Sequence, residues 1–353
     1  MAVDFLTERE GYAVGERCTA AGADCSAAVG RTLDGGESFR WTAIGPGQPE
    51  GVTFLDARQG YVVLHQSGSA QRLLRTVDGG RTWRTVAREP FYGMPRFVGR
   101  GFGYAILTGP GGGPTGRLAL SADGGRTWRT VPTGAYRPVA AAFPDRMHGF
   151  LAGWRCSAPR HGLAACAGAI LGTADGGQNW RVLKAVGTTE TGNTGAFAID
   201  ALQAGLVYAA LPDLAGCTMG GCLPELDVSR DGGQTWQVLQ PAYRWGPAIA
   251  PGWAGGPQFA RAELGWIGLS PGAGPGAGGV LVTTDGGRSF RQFFARRFVP
   301  GSLDPVGDVA YAVATSVPPG GGSAPVLVRM TPAGGLTYLW PATRGASRAR
   351  SSP

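Results

Sequence analysis

An eight-residue pattern that recurs along the chain constrains the fold more than any other feature. Its form is Ser/Thr-x-Asp-x-Gly-x-Ser/Thr/Asn-aromatic, and we call each copy a box. Six complete boxes occur, at Thr32–Phe39, Thr76–Trp83, Ser121–Trp128, Thr173–Trp180, Ser229–Trp236 and Thr283–Phe290. In a seventh, Thr331–Tyr338, Ala333 replaces the aspartate. Successive boxes begin about 44 to 56 residues apart, a period that predicts one small supersecondary unit per box, as in a propeller or solenoid.

A second marker, glycine followed by an aromatic residue, precedes the boxes by about 20 residues or more. Clear copies are Gly11-Tyr12, Gly60-Tyr61, Gly103-Tyr104, Gly149-Phe150 and Gly265-Trp266, with looser forms in blades 5 and 7. Each lies between two short apolar runs, so we interpret it as the turn between strands A and B, with the box between strands C and D. The 62 glycines and 26 prolines disfavour long helices. The sequence therefore predicts an all-β fold, a seven-bladed β-propeller of four-stranded antiparallel blades.

The repeat also predicts where each blade begins and ends. The expected blades are 1–45, 46–89, 90–134, 135–187, 188–242, 243–296 and 297–341, which together form one domain. Strand A of the first blade already begins near Val3, which leaves no spare strand to complete the last blade. Ring closure is therefore expected to rest on packing between the first and last blades, or on residues that lie outside this sequence. The polar, basic segment 342–353 is expected to be disordered.

The box itself is expected to be a structural hairpin turn. Its two glycines tolerate positive φ, its carboxylate can accept turn N–H groups, and its aromatic ring can pack between sheets. Because the same turn recurs in every unit while a propeller normally has one functional site, we assign a structural role to its aspartates. These are Asp34, Asp78, Asp123, Asp175, Asp231 and Asp285.

The boxes resemble the Asp-box, or BNR, repeat of the sialidase-like propeller superfamily. In form the chain is most similar to the photosystem II assembly/stability factor-like and sortilin-like propellers. The resemblance covers residues 3 to 340 and implies the propeller fold. It implies no single activity, because the superfamily contains enzymes, receptors and assembly factors. A sialidase is disfavoured, since the early Arg-Ile-Pro element of that family is missing and sialidases have six blades.

The six cysteines fall in three close pairs within predicted B–C loops. We predict disulfides Cys18–Cys25, Cys156–Cys166 and Cys217–Cys222. A zinc site that uses Cys156, His161 and Cys166 is the alternative, but the ordinary Cys-x-x-Cys spacing is missing there. Disulfides persist outside the cytosol, so the protein is expected to be secreted or periplasmic, with its leader removed.

The predicted D–A connections, on the face opposite the boxes, combine arginines with aromatic residues. The candidate ligand-binding residues are Arg96, Tyr136, Arg137, Tyr243, Arg244, Trp245, Trp253 and Arg297. Trp154 and Arg155 could extend this surface. Such a surface suits carboxylates, sugars or peptides. In the alternative interpretation, the rings only pack the blade tops together and the arginines face water.

The sequence favours a non-enzymatic binding or assembly-factor propeller that recognises a protein or glycan, possibly acidic, through this surface. The alternative is a secreted glycoside hydrolase, for which Glu89 and Glu190 are weak candidates because neither has a recognisable partner carboxylate. The sequence predicts no cofactor, no metal, no nucleic-acid partner, no membrane span and a monomer. The net charge of +8 would suit nucleic acid, but the expected oxidising compartment argues against it.

Overall fold

The computed structural model describes residues 1–18, 25–65, 71–108, 116–157, 165–189, 197–214, 224–240, 253–269, 279–293, 298–316 and 324–340. Their regular structure consists of strands that form seven four-stranded antiparallel sheets, each from four consecutive strands. The predicted fold class, a seven-bladed all-β propeller, is confirmed. Within the described ranges, no helix is long and apolar enough to cross a membrane. The proposed tail, 342–353, lies outside the described residues.

The first four blades contain the following strands, from the inner strand A to the outer strand D. Blade 1 contains β1 (Ala2–Phe5), β2 (Gly11–Cys18), β3 (Cys25–Thr32) and β4 (Arg40–Gly45). Blade 2 contains β5 (Gln48–Phe54), β6 (Gly60–His65), β7 (Gln71–Thr76) and β8 (Arg84–Glu89). Blade 3 contains β9 (Arg96–Val98), β10 (Phe102–Leu107), β11 (Arg117–Ser121) and β12 (Arg129–Thr130). Blade 4 contains β13 (Arg137–Ala142), β14 (Gly149–Cys156), β15 (Cys166–Thr173) and β16 (Arg181–Thr189).

The remaining three blades follow the same order. Blade 5 contains β17 (Ala198–Gln203), β18 (Leu206–Pro212), β19 (Pro224–Ser229) and β20 (Gln237–Gln240). Blade 6 contains β21 (Trp253–Phe259), β22 (Gly265–Leu269), β23 (Gly279–Thr283) and β24 (Arg291–Phe293). Blade 7 contains β25 (Phe298–Val306), β26 (Val309–Ser316), β27 (Ala324–Met330) and β28 (Leu336–Trp340).

The glycine-aromatic marker joins neighbouring blades, which explains its recurrence. Gly60 begins β6, and a Cβ there would lie 2.6 Å from the ring of Phe54, which covers this glycine from β5 of the same blade. That ring stacks on Tyr12 of the preceding blade, with centroids 3.3 Å apart. The Tyr12 hydroxyl then donates to the carbonyl of Ala57 in the next A–B turn, at 3.2 Å. The marker therefore begins strand B rather than forming the turn, and its tyrosine fastens one blade to the next.

The same contact closes the ring between blades 7 and 1. Tyr311 stacks on Phe5 with centroids 3.5 Å apart, and its hydroxyl donates to the Glu8 carbonyl at 2.7 Å. The Glu8 carboxylate pairs with Arg329 at 2.7 Å. No strand is shared between these two sheets, whose strands follow one another in sequence order. Blades 7 and 1 are therefore joined by side-chain contacts, which is one of the two alternatives that the sequence left open.

Each complete box uses its aspartate within its own turn. In blade 2, Asp78 accepts hydrogen bonds from the hydroxyl of Thr76 at 2.8 Å, the hydroxyl of Thr82 at 2.6 Å and the N–H of Thr82 at 2.9 Å. Gly79 and Gly80 have φ of 74° and 84°, which only glycine adopts without strain. Hydrogen bonds from the Thr82 side chain and backbone lower the pKa of Asp78 to about 2. The carboxylate is thereby committed to holding the hairpin.

The structure confirms one disulfide and overturns the zinc alternative. Cys156 and Cys166 are disulfide-bonded, with Cα atoms 4.0 Å apart, and they face each other at the ends of β14 and β15. A zinc site on these two sulfurs is wrong, because the disulfide consumes the thiolates that zinc requires. Cys18 faces Cys25 in the β2–β3 register, and Cys25 is disulfide-bonded. The side chain of Cys18 and both Cys217 and Cys222 lie outside the described residues.

Candidate functional site

The seven inner strands surround a central channel, and one equivalent position on each of them defines a ring of side chains. Equivalence follows from the backbone register, because each of these residues pairs with the aromatic position of the marker on strand B. The ring consists of Asp4, Thr53, Arg96, Ala142, Asp200, Gln258 and Asp304. Three carboxyl groups and one guanidinium therefore belong to one layer of the channel.

The three carboxyl groups bind the neighbouring inner strand. Strand A is the edge of its sheet, so its outward N–H groups need partners from outside the sheet. Asp4 accepts from the N–H of Phe54 at 2.6 Å, and Asp200 accepts from the N–H of Phe259 at 2.7 Å. Asp304 accepts in the same way from the N–H of Phe5, across the junction of blades 7 and 1. In each case one carboxyl oxygen fastens the next blade.

Part of this ring lines a cavity of about 480 Å³. Its walls include Arg96, Asp200, Gln258 and Asp304, all from the ring. Tyr92 and Met94 lie at the rim, in the connection between β8 and β9, and Tyr92 is 50% exposed. Since D–A connections lie at the end of the blades opposite the A–B turns and the boxes, this rim is on the face away from the boxes.

Burial and charge act in opposite directions on these carboxyl groups. Burial within the channel wall raises the pKa of Asp4 to about 6, although the Phe54 N–H and the charge of Arg96 favour its ionised form. Burial also raises the pKa of Asp200, against the same influence of Arg96. The pKa of Asp304 is raised well above its usual value by burial and by repulsion from Asp4. The positive charge of a single arginine thus acts on three carboxyl groups, two of which, Asp4 and Asp304, repel each other.

Arg96 is the predicted binding residue that the structure places in this cavity. It belongs to the inner strand β9 rather than to the D–A connection expected from the sequence, and its side chain is exposed to the channel. Arg137 is exposed at the start of β13, and Tyr136 is half-buried. These two residues line a different cavity, of about 670 Å³, together with Pro132 and Gly134. The guanidinium of Arg155 lies 5.5 Å from the Tyr136 ring.

Two of the suggested site residues lie away from the channel, and others fall outside the described part of the chain. Trp154 is only 3% exposed and packs against Phe197 with ring centroids 4.9 Å apart, so its suggested role in an exposed surface is wrong. Glu89 is half-buried at the end of the outer strand β8, where it pairs in register with Gln71. Trp253 begins β21, but its side chain is not among those described. Tyr243, Arg244, Trp245, Arg297 and Glu190 lie outside the described residues.

The sequence analysis missed the three channel aspartates. A weak signal was present, because Asp4, Asp200 and Asp304 each interrupt an apolar run shortly before a marker position. No group of three or more histidine, cysteine, aspartate or glutamate residues is arranged to hold a metal ion in the described ranges. The site therefore offers hydrogen-bond acceptors, one fixed positive charge, and buried carboxyl groups whose pKa values are raised.

No protein-family model and no curated protein matches this sequence. Solved structures with the same fold are found at low identity. A GH74 xyloglucanase from Xanthomonas campestris superposes with a TM-score of 0.56 at 18% identity, over 93% of this chain and 56% of the other. The propeller domain of the Trilobed protease from Pyrococcus furiosus gives a TM-score of 0.61 at 8% identity, over 96% of this chain and 97% of that domain. That domain is described as having an open velcro topology. A puromycin-hydrolyzing peptidase from Mycobacterium tuberculosis superposes with a TM-score of 0.57 at 14% sequence identity, over 96% of this chain and 53% of the peptidase.

These similarities establish the propeller fold. The chain spans about half the length of the xyloglucanase and of the peptidase that it matches. Their activities therefore do not transfer to it through the fold, because one propeller serves many chemistries.

Proposed function

We propose that this protein is an extracytoplasmic binding propeller that recognises a glycan at the channel mouth, with Arg96 at the centre of the site. The observation that carries the proposal is the position of Arg96, which lines an open cavity of about 480 Å³ together with Asp200 and Asp304, while its charge also acts on Asp4. A guanidinium donor beside carboxyl acceptors matches the mixed hydrogen bonding of sugar hydroxyls. The exposed ring of Tyr92 at the rim adds an apolar face with a polar tip.

The disulfide between Cys156 and Cys166 supports the extracytoplasmic part of the proposal, because such bonds persist in oxidising compartments. Membership of the Asp-box propellers remains part of the proposal as well, and it is supported by the hydrogen-bonded turns of the six complete boxes. The exposed Arg137 would widen the surface on the same face of the ring.

Binding can be tested by calorimetric titration with xyloglucan oligosaccharides, galacturonate oligosaccharides and short acidic peptides. We expect Arg96→Gln and Tyr92→Ala to weaken glycan binding about tenfold each, because each removes a group at the cavity while leaving the blade core intact. The matched control is Arg181→Gln, which removes an exposed arginine from the outer strand of blade 4. Unchanged affinity in both cavity variants, or binding of peptides alone, would reject the glycan proposal.

One observation favours glycoside hydrolysis as a second candidate. Asp4 and Asp304 are neighbouring channel carboxyl groups whose pKa values are both raised, and acid catalysis requires a carboxyl that stays protonated near neutral pH. If the protein hydrolyses a glycan, Asp4→Asn or Asp304→Asn should lower the rate at least about a hundredfold. Glu89→Gln, on the outer strand, should have no effect. Hydrolysis that survives both aspartate variants would exclude this candidate site.

A further inference from the structure

The positive charge of the chain is concentrated in two neighbouring blades. Residues 46–134, which form blades 2 and 3, contain eleven arginines and five acidic residues, a net charge of +6 out of +8 for the whole chain. The other five blades and the tail together carry the remaining net charge of +2. A local excess of this kind makes one side of the ring attractive to an anionic partner.

Two positions of the box repeat place this charge on the box side of the ring. One is the variable residue after Asp-Gly-Gly, and the other is the first residue of the outer strand. In blades 2 and 3 both positions are arginines with exposed side chains, namely Arg81, Arg84, Arg126 and Arg129. We call these four residues the arginine edge. Within the described residues, none of the four pairs with a carboxylate, although Arg126 donates to the backbone carbonyl of Asp123 at 2.7 Å.

The arginine edge borders clefts between successive boxes, where further arginines lie. The cleft between boxes 1 and 2 has a volume of about 450 Å³ and is lined by Arg31, Arg40 and Arg81. The cleft between boxes 3 and 4 has a volume of about 650 Å³ and is lined by Arg129 and Arg146.

The junction between boxes 2 and 3 continues the series. Arg75 lies 5.9 Å from the centre of the Tyr61 ring, and the positive charge of Arg126 also acts on the Tyr61 hydroxyl. Three consecutive junctions therefore each carry two or more guanidinium groups.

A structural explanation accounts for part of this pattern. Exposed charges on outer strands prevent sheet edges from pairing with other chains. This explains arginine at the first position of the outer strand in five blades, Arg40, Arg84, Arg129, Arg181 and Arg291. It does not explain the variable box position, which is Glu37, Gln178 and Gln234 in blades 1, 4 and 5. Blade 6 has both arginines, but it is separated from blades 2 and 3 on either side of the ring.

We infer that the arginine edge and its clefts form a second binding surface, which takes a linear anionic polysaccharide bearing carboxylate or sulfate groups. Guanidinium groups bind such oxyanions through paired hydrogen bonds. The arginines recur at equivalent positions of adjacent blades, so the surface presents regularly repeated cations, which suits a polymer with regularly repeated anions. The disulfide indicates an oxidising compartment, where polysaccharides are more accessible than nucleic acids. This surface lies on the box side, opposite the channel mouth, and the inference does not depend on the proposed function.

Dextran sulfate provides the test, with uncharged dextran as its matched probe. The variant Arg84→Gln/Arg126→Gln removes two arginines of the edge. The control variant Arg181→Gln/Arg288→Gln removes the same two repeat positions from blades 4 and 6, where Arg288 makes the same hydrogen bond to the carbonyl of its box aspartate as Arg126 does. We expect the edge variant to bind dextran sulfate about tenfold more weakly, and the control variant to change affinity about twofold or less.

Salt dependence provides a second readout. The affinity of the wild type for dextran sulfate should fall steeply between about 50 and 200 mM NaCl. The slope of log affinity against log salt concentration should be smaller for the edge variant, because fewer counterions are released when it binds. When Arg96→Gln is combined with the edge variant, the fold-loss of dextran sulfate affinity caused by the edge substitutions should be the same as in the wild-type background, which separates this surface from the channel.

Three outcomes would overturn the inference. Failure of the wild type to bind dextran sulfate at low salt would remove the surface altogether. Equal losses of affinity for dextran sulfate in the edge and control variants would mean that binding depends only on the net charge of the protein. Duplex DNA bound as tightly as dextran sulfate, with the same dependence on the edge arginines, would show an unselective polyanion surface. Thermal unfolding of both variants checks that these exposed substitutions leave the fold intact.

Discussion

The carboxylate of Asp4 accepts a hydrogen bond of 2.6 Å from the backbone N–H of Phe54, a residue of the neighbouring blade. The bond supplies a partner for an edge N–H that the inner strand of blade 2 cannot satisfy within its own sheet. The same bond from Asp200 to Phe259 joins blades 5 and 6. The groups that hold the ring together therefore also give the channel its acidic lining, so structure and candidate site share the same residues.

Stability should fall as the pH rises through the titration of Asp4. Its folded pKa of about 6 lies above its ordinary value of 3.8. Between these values the folded state binds more protons than the unfolded chain, so the free energy of unfolding decreases as the pH increases. We expect Asp4→Asn to remove about 2 kcal/mol of this decrease between pH 4 and pH 7. Urea unfolding of both proteins at the two pH values measures it.

The control for this experiment is Asp78→Asn. The pKa of Asp78 is lowered to about 2, so its contribution is present above pH 4 and is lost as the pH falls toward 2. This substitution should leave the change in the free energy of unfolding between pH 4 and pH 7 as it is in the wild type. If the free energy of unfolding of Asp4→Asn decreases between pH 4 and pH 7 as much as that of the wild type, the burial assigned to the Asp4 carboxyl is contradicted.

Removal of the box carboxylate should destabilise its blade. Asp78→Ala leaves the N–H groups of Arg81 and Thr82 and two threonine hydroxyls without their acceptor. Part of this loss is offset by water, because the turn is exposed, and we expect a cost of about 1 to 3 kcal/mol in the free energy of unfolding. Chemical denaturation measures the change.

The seventh box offers the reciprocal test. It has no aspartate at Ala333, and positive φ is found at Gly334 but not at Gly335, although Thr331 still accepts the Gly335 N–H at 2.9 Å. Because this turn differs from the six others, Ala333→Asp should not raise the free energy of unfolding by the amount by which Asp78→Ala lowers it. An increase in the free energy of unfolding as large as the decrease in Asp78→Ala would show that the residue types of the box alone determine the conformation of the turn.

The junction of blades 7 and 1 should depend on the Tyr311–Phe5 pair. Tyr311→Phe keeps the stacked ring and loses the hydrogen bond to the Glu8 carbonyl, which should cost about 1 kcal/mol. A double-mutant cycle with Tyr311→Leu and Phe5→Leu should give a coupling energy of about 0.5 to 1.5 kcal/mol. A coupling energy of zero would mean that the stacked pair does not contribute to closing the ring.

The disulfide between Cys156 and Cys166 should stabilise the loop that it closes. Its residues are separated by 10 positions. On the chain-entropy description, Cys156→Ser/Cys166→Ser should lower the free energy of unfolding by about 2 to 3 kcal/mol. A reducing agent should lower the thermal midpoint of the wild type and leave that of the double variant unchanged. Equal sensitivity of both proteins would assign the effect to another cysteine pair.

The number of blades and the position of their turns could be predicted from the sequence because both depend on local chemistry. Asp-Gly-Gly between hydroxyl residues determines a hairpin within eight residues, and its recurrence gives the number of units. The Cys156–Cys166 disulfide was predictable for the same reason, since its cysteines lie at the ends of two adjacent antiparallel strands. The role of the glycine-aromatic marker was only partly predicted, because the ring that covers each glycine and the ring that stacks on it belong to different blades.

By itself, then, the sequence determined a propeller of seven repeated hairpin units. Only the tertiary structure decided that Arg96 lies among Asp4, Asp200 and Asp304, and that Trp154 is buried. These four channel residues are roughly 100 positions apart along the chain, and no local pattern links them. They form one layer because closing the ring brings the same register position of every inner strand around a common axis.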